Sequence, residues 1–159
     1  SRACDGLSMR SESARMSSAA EALFRIGAPN SSARAVKVIA LDAGSEPVID
    51  DLAQRRWHGA AFFSAADLTS NPTRLHEEIN AADLVVMIAT AGESPQEVAL
   101  IGEICSRARV TTTGLIMCDE ETSDEALSVT LGRLRPWMLM LVVASSRDYI
   151  EDMLLALRA

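Results

Sequence analysis

Lysine is almost missing from this chain: of its 15 basic residues only Lys37 is not arginine. That lysine stands inside an apolar run, so no loop carries the glycine cluster and lysine of a Walker-type phosphate site. Cysteine is scarce too. Cys4, Cys105 and Cys118 are odd in number and at no metal-ligand spacing, which excludes a disulfide framework and makes a reducing cytoplasm the expected compartment. The histidines are His58 and His76, and with no Gly-x-Ser-x-Gly elbow to pair with them a Ser-His-Asp hydrolase is excluded. No apolar run reaches the roughly 18 residues of a membrane-crossing helix, so no membrane partner is expected. Positive charge is the minority, 15 bases against 22 acids for a net −7, which argues against nucleic acid or anionic lipid as partners.

What is present is an alternation of apolar runs and amphipathic segments. With 159 residues, 48% of them hydrophobic, the chain has the length and composition of one globular domain. Residues 1–34 are rich in Ser, Ala and Arg and read as a flexible N-terminal segment, with a short helix at Ser17 to Ile26 and a linker over Gly27–Ser32. From Ala35 to Ala159 the pattern is regular. Strands are predicted at Ala35–Leu41, Ala60–Ser64, Leu84–Thr90, Thr111–Cys118 and Met138–Ala144. Helices are predicted at Pro47–Arg56, Thr73–Ala82, Pro95–Arg107, Ser123–Leu134 and Arg147–Arg158, with a polar loop after Ser64. Continuously apolar strands alternating with helices mean a parallel sheet covered on both faces. The expected fold is a three-layer α/β/α Rossmann-like domain with a five-stranded, mainly parallel sheet of order 2-1-3-4-5.

One strand–loop–helix unit is written twice in similar letters. Ala35–Leu41 opens into Asp42-Ala43-Gly44-Ser45-Glu46-Pro47, and Leu84–Ala89 opens into Thr90-Ala91-Gly92-Glu93-Ser94-Pro95. In the order 2-1-3-4-5 these loops flank the switch-point crevice, where α/β folds bind ligands. Free amides at a helix start hold phosphates or carboxylates, so Asp42, Gly44, Ser45, Thr90, Gly92, Glu93 and Ser94 are candidate ligand-binding residues. Cys118 and Asp119, after the fourth strand, join them at the same edge. The alternative reading makes Ser45 and Ser94 helix caps, with Glu46 and Glu93 complementing the dipoles. A third reading has Asp42, Glu93 and Asp119 share a metal ion, although no metal is expected from the spacing. Ser123 reads as the cap of the next helix, and Cys105, on an apolar helix face, reads as core. No catalytic residue is assigned, and the chain is read as non-catalytic.

The last helix carries a stripe of Tyr149, Ile150, Met153, Leu154 and Leu157, with Trp137 and Met138 near it in sequence. This stripe either packs on the sheet edge or forms a homodimer face through the C-terminal helices.

From Ala35 onward the segment order resembles the nucleotide-binding half of the FtsZ/tubulin family. Val38-Ile39-Ala40-Leu41-Asp42-Ala43-Gly44-Ser45 is similar to that family's first strand and its Gly-Ala-Gly-Ser loop. His58–Phe63, Ala81–Ile88 and Leu131–Val143 resemble its second strand, the strand before its phosphate loop and its last sheet strand. Where the family has a run of glycines and threonines, this chain has Ala91-Gly92-Glu93-Ser94-Pro95-Gln96, so the resemblance implies a degenerate nucleotide site in which Gly44 and Ser45 carry over. Ala89-Thr90-Ala91-Gly92-Glu93-Ser94 also resembles the Ser-x-Ser-Gly-Glu-Thr loop of sugar-isomerase (SIS) domains, which implies a sugar-phosphate ligand held by Thr90 and Ser94. The alternative function is therefore a sugar-phosphate or nucleotide-dependent enzyme with its site at the Gly44 and Gly92 loops.

Overall fold

A computed structural model of the chain describes residues 34–157. The predicted N-terminal helix, the linker and Cys4 lie outside the described residues. The described part runs β1 (Val36–Ala40), α1 (Glu46–Ala53), β2 (Ala60–Ser64), α2 (Ala65–Thr69), α3 (Pro72–Asn80), β3 (Leu84–Thr90) and α4 (Glu97–Ala108). It continues with β4 (Thr111–Met117), α5 (Asp124–Leu134), a 3-10 turn (Arg135–Trp137), β5 (Met140–Ala144) and α6 (Arg147–Ala156). The five strands form one sheet of order β2-β1-β3-β4-β5 in which every pair is parallel. This is the Rossmann-like α/β arrangement that the alternation predicts.

Alternate side chains divide the core in two. Ile39, Val85, Met87, Ala89 and Ile116 face α2, α3, α4 and α5, where Leu68, Leu75, Ile79, Val98, Ile101, Cys105 and Leu134 meet them. Val36, Val38, Ala40, Leu84, Val86, Ile88 and Leu115 face α1 and α6, represented by Val48, Ile49, Leu52, Ile150 and Leu154. Burial of each such side chain contributes on the order of 2 kcal/mol, and β3, buried over Leu84–Ala89 on both faces, is the centre of the structure.

Local capping explains where the helices begin. Ser64 accepts from the Asp67 amide, Asn71 from Arg74, Ser123 from Ala126 and Ser146 from Tyr149. The Ser64 cap is the reason α2 stands where a polar loop is expected: it starts a turn that buries Ala65 and Leu68. Trp137 and Met138, near the α6 stripe in sequence, lie apart from it in the fold. They pack in the α4 and α5 layer, whereas Ile150 and Leu154 of α6 are buried in the other.

The two edges of the sheet are built differently. At β2, Phe63 lies under the Arg74 guanidinium of α3, 5.4 Å from the ring centroid, and on the next strand, β1, Lys37 pairs with Glu78 of α3 at 2.9 Å. At β5, Leu139 is 79% exposed, and Met140 and Val143 are exposed as well.

Candidate functional site at the carboxyl edge of the sheet

All five strands point the same way, so their carboxyl ends and following loops gather at one edge. Strands β1 and β3 are neighbours, and their crossover helices leave on opposite faces, α1 into one core layer and α4 into the other. In such a sheet the chain parts at that point and leaves a crevice. Here a carboxylate closes it. Asp42 Oδ1 accepts from the Ser45 amide at 2.9 Å and from the Thr90 hydroxyl at 3.0 Å, while Oδ2 accepts from the Thr90 amide at 2.8 Å. Hydrogen bonds to an ionised acceptor are about twice as strong as neutral ones, so Asp42 fastens the two loops. Ser45 is wholly buried behind it. Its hydroxyl, at the N-cap position of α1, makes no capping bond; it lies 3.0 Å from the Asp42 carbonyl and 3.1 Å from the Ile88 carbonyl, as a donor to them. Gly44 is required by close approach, since a Cβ there would stand 2.5 Å from Thr90 Oγ1.

The loop after β3 turns the other way, onto α5. Gly92 has φ +98°, a conformation that side-chain-bearing residues rarely take. Its amide donates to Thr130 Oγ1 at 2.9 Å and to the Ala126 carbonyl at 3.0 Å. The buried Thr130 hydroxyl in turn donates to the Glu93 carbonyl at 2.6 Å. Ser94 accepts from Arg133 Nε at 2.9 Å, and the N-cap position of α4 falls to Gln96, so Ser94 does not cap that helix either.

Beside the closed seam lies a cavity of about 310 Å³. One wall is Gly44 and Val48 with Thr90 and Ala91; the next is Met117, Cys118, Asp119 and Thr122; the last is Ala144, Ser145, Ser146 and Arg147 at the start of α6. Asp119 is held within its own turn, its Oδ1 accepting from the Glu121 amide at 2.9 Å and the Thr122 hydroxyl at 3.1 Å. Arg147 is a lining residue whose guanidinium turns to α1, with NH1 3.8 Å from Asp51 Oδ2. The lining is thus hydroxyl-rich, with one cation and one anion.

Of the predicted ligand residues, Gly44, Thr90, Cys118 and Asp119 come together in this lining. Asp42 and Ser45 form the seam, and Gly92, Glu93 and Ser94 belong to the loop that docks on α5. Among the described residues no three of His, Cys, Asp and Glu are placed to share a metal ion, so the metal reading of Asp42, Glu93 and Asp119 is corrected: Asp42 is engaged with Ser45 and Thr90. Cys105 is buried as expected, and burial pushes its thiol up to about 12. Sequence reasoning missed Thr122, Ser145, Ser146 and Arg147. The signal was available, since Ser145-Ser146-Arg147 follows β5 as the other loops follow their strands. No protein-family model matches the chain, and a search of the curated proteins finds no match.

Proposed function

We propose that this domain is a non-catalytic ligand-binding module on a degenerate nucleotide-binding scaffold. It takes a small polar ligand with one anionic group, a sugar phosphate or a nucleoside monophosphate, in the carboxyl-edge cavity. The observation that carries this reading is the position of Arg147. Arg147 opens the ten-residue helix α6 in the same lining as Ser145, Thr90 and Thr122, and its guanidinium, 3.8 Å from Asp51, is the cation nearest to an anion bound there. A volume near 310 Å³ lies at the small end of ligand pockets, which favours a monophosphate over a dinucleotide. The degenerate character rests on the seam. The Asp42 carboxylate occupies the space between the β1 and β3 loops, where a phosphate would otherwise meet free amides.

The test is a thermal-shift and calorimetric screen of nucleoside monophosphates, dinucleotides, sugar phosphates and divalent metals. A ligand at 100 times its Kd stabilises by about 2.7 kcal/mol, a rise of several degrees in Tm. The expected result is a rise with one monophosphate class, weakened at least tenfold in affinity by Arg147→Ala, at the scale of a lost charge-assisted contact. No rise with any class overturns the reading. Turnover of a bound sugar phosphate would replace it with the enzyme reading.

A further inference from the structure

The cation of the cavity lining already has an anion of its own. Among the described residues Asp51 is the carboxylate paired with Arg147, its Oδ2 lying 3.8 Å from NH1. Asp51 stands on α1 about one turn beyond Val48, which lines the cavity, and does not line the cavity itself. The pair is the end of a row of four charges in which the signs alternate between α1 and α6. After Arg147 and Asp51 comes Arg55, with NH2 3.5 Å from the same Asp51 Oδ2, and then Glu151, 2.7 Å from Arg55 NH1.

The contacts tighten along this row, so Arg147 is the member held least. A separation of 3.8 Å is too long for a hydrogen bond, which leaves Coulomb attraction without a directed contact. The Arg147 side chain is 54% exposed, so packing does not fix it and its flexible stem can aim the guanidinium elsewhere. Its departure strands no charge either, because Asp51 keeps Arg55 and Arg55 keeps Glu151.

We propose that Asp51 is a built-in competitor of the cavity's anionic ligand, and that a phosphoryl group binds by taking the Arg147 guanidinium from it. This rests on the monophosphate reading above and adds to it the residue that sets the affinity. A ligand that needs Arg147 released binds more weakly by the fraction of molecules in which Arg147 has left Asp51. That fraction is a property of the protein, so removing the Asp51 charge raises the affinity of every such anion by one common factor. An exposed ion pair holds that factor to about two- to fivefold.

Calorimetric titration of the full chain with adenosine monophosphate and with glucose 6-phosphate tests this. Asp51→Asn keeps the shape of an exposed side chain, and it should leave the circular dichroism unchanged while tightening each probe that binds by about two- to fivefold. If both probes bind, the factor should be the same for the two. Asp50→Asn is the matched control: it removes an equal charge from the next position of α1, and Asp50 makes no ion pair among the described residues. It should leave the affinity within about 1.5-fold of the parent, at the low end for exposed charges. Binding that is lost in Arg147→Ala but unmoved by Asp51→Asn overturns the competition and leaves the monophosphate reading standing. An equal gain from Asp50→Asn also overturns it, since the effect is then general repulsion of anions. Binding of neither probe, by the parent or by Asp51→Asn, overturns the monophosphate reading and the competition together.

Discussion

Gly44-Ser45-Glu46-Pro47 and Gly92-Glu93-Ser94-Pro95 differ by one exchange of Ser and Glu. In the first loop the serine falls directly after the glycine, where the chain is still inside the sheet edge. It is buried there and bonds to the Asp42 and Ile88 carbonyls, and α1 begins at the next residue. In the second loop the serine falls two residues later, outside, and reaches Arg133 of α5, while α4 begins only at Glu97. The glycines differ as well. Gly44 is needed for what lies opposite it, Thr90 Oγ1, and Gly92 for its own backbone angle. A shared set of letters after a strand therefore does not give a shared loop. The decisive quantity is how far the first polar side chain stands from the last sheet hydrogen bond.

Four substitutions sharpen this contrast. The largest effect is expected at Asp42→Ala, which leaves the Ser45 and Thr90 amides without their acceptor. The loss should be about 3 kcal/mol in urea unfolding, and a loss below about 1 kcal/mol would show that the seam does not depend on the carboxylate. Thr130→Val, the equivalent cut in the second loop, strands the Glu93 carbonyl and leaves the Gly92 amide with the Ala126 carbonyl alone, and should cost about 2 kcal/mol. It should leave the Arg147 cavity able to bind, measured by titration of the same ligand. The two glycines should then separate by mechanism. Gly44→Ala costs about 1–2 kcal/mol through the contact with Thr90 and is partly relieved by Thr90→Ala in the same chain. Gly92→Ala costs about 1 kcal/mol through φ alone and is not relieved by any change at Ala126, whose Cβ lies 3.6 Å away.

The smallest effect lies in the core behind both loops. The Cys105 thiol is raised to about 12 by burial, so folding holds its proton more tightly than the unfolded chain does. That contribution is full below the ordinary thiol range near pH 9 and is lost as pH rises toward 12. Cys105→Val should flatten the fall in Tm over that interval relative to the parent chain.

Much of the fold was legible because it depends on periodicity. β2 and β3 have the bounds that their apolar runs predict, and the order 2-1-3-4-5 follows from parallel strands and right-handed crossovers. α2 was not legible as a helix, since five residues with two buried side chains give too short a pattern; its signal was the Ser64–Asp67 cap. The carboxyl-edge location of the cavity was legible from topology; Arg147 was marked by that topology alone and by no local motif. Arg147 reads as one more arginine in an amphipathic helix until β5 is placed beside β4 and its loop joins the others. The engagement of Asp42 was illegible for a related reason. Thr90, its principal partner, lies 48 residues away, and nothing local marks the two as a pair.

The amide of Thr90 donates inward to a carboxylate carried by another strand. To exchange its proton with solvent it must leave Asp42, and because the pairing of β1 with β3 ends at Ala40 and Ile88, that separation means opening the seam between the two loops. The Thr90 amide is thus a built-in clock for the seam: its deuterium uptake records how often the Asp42 carboxylate lets go, while the Gly92 amide, anchored to α5, records the loosening of that helix.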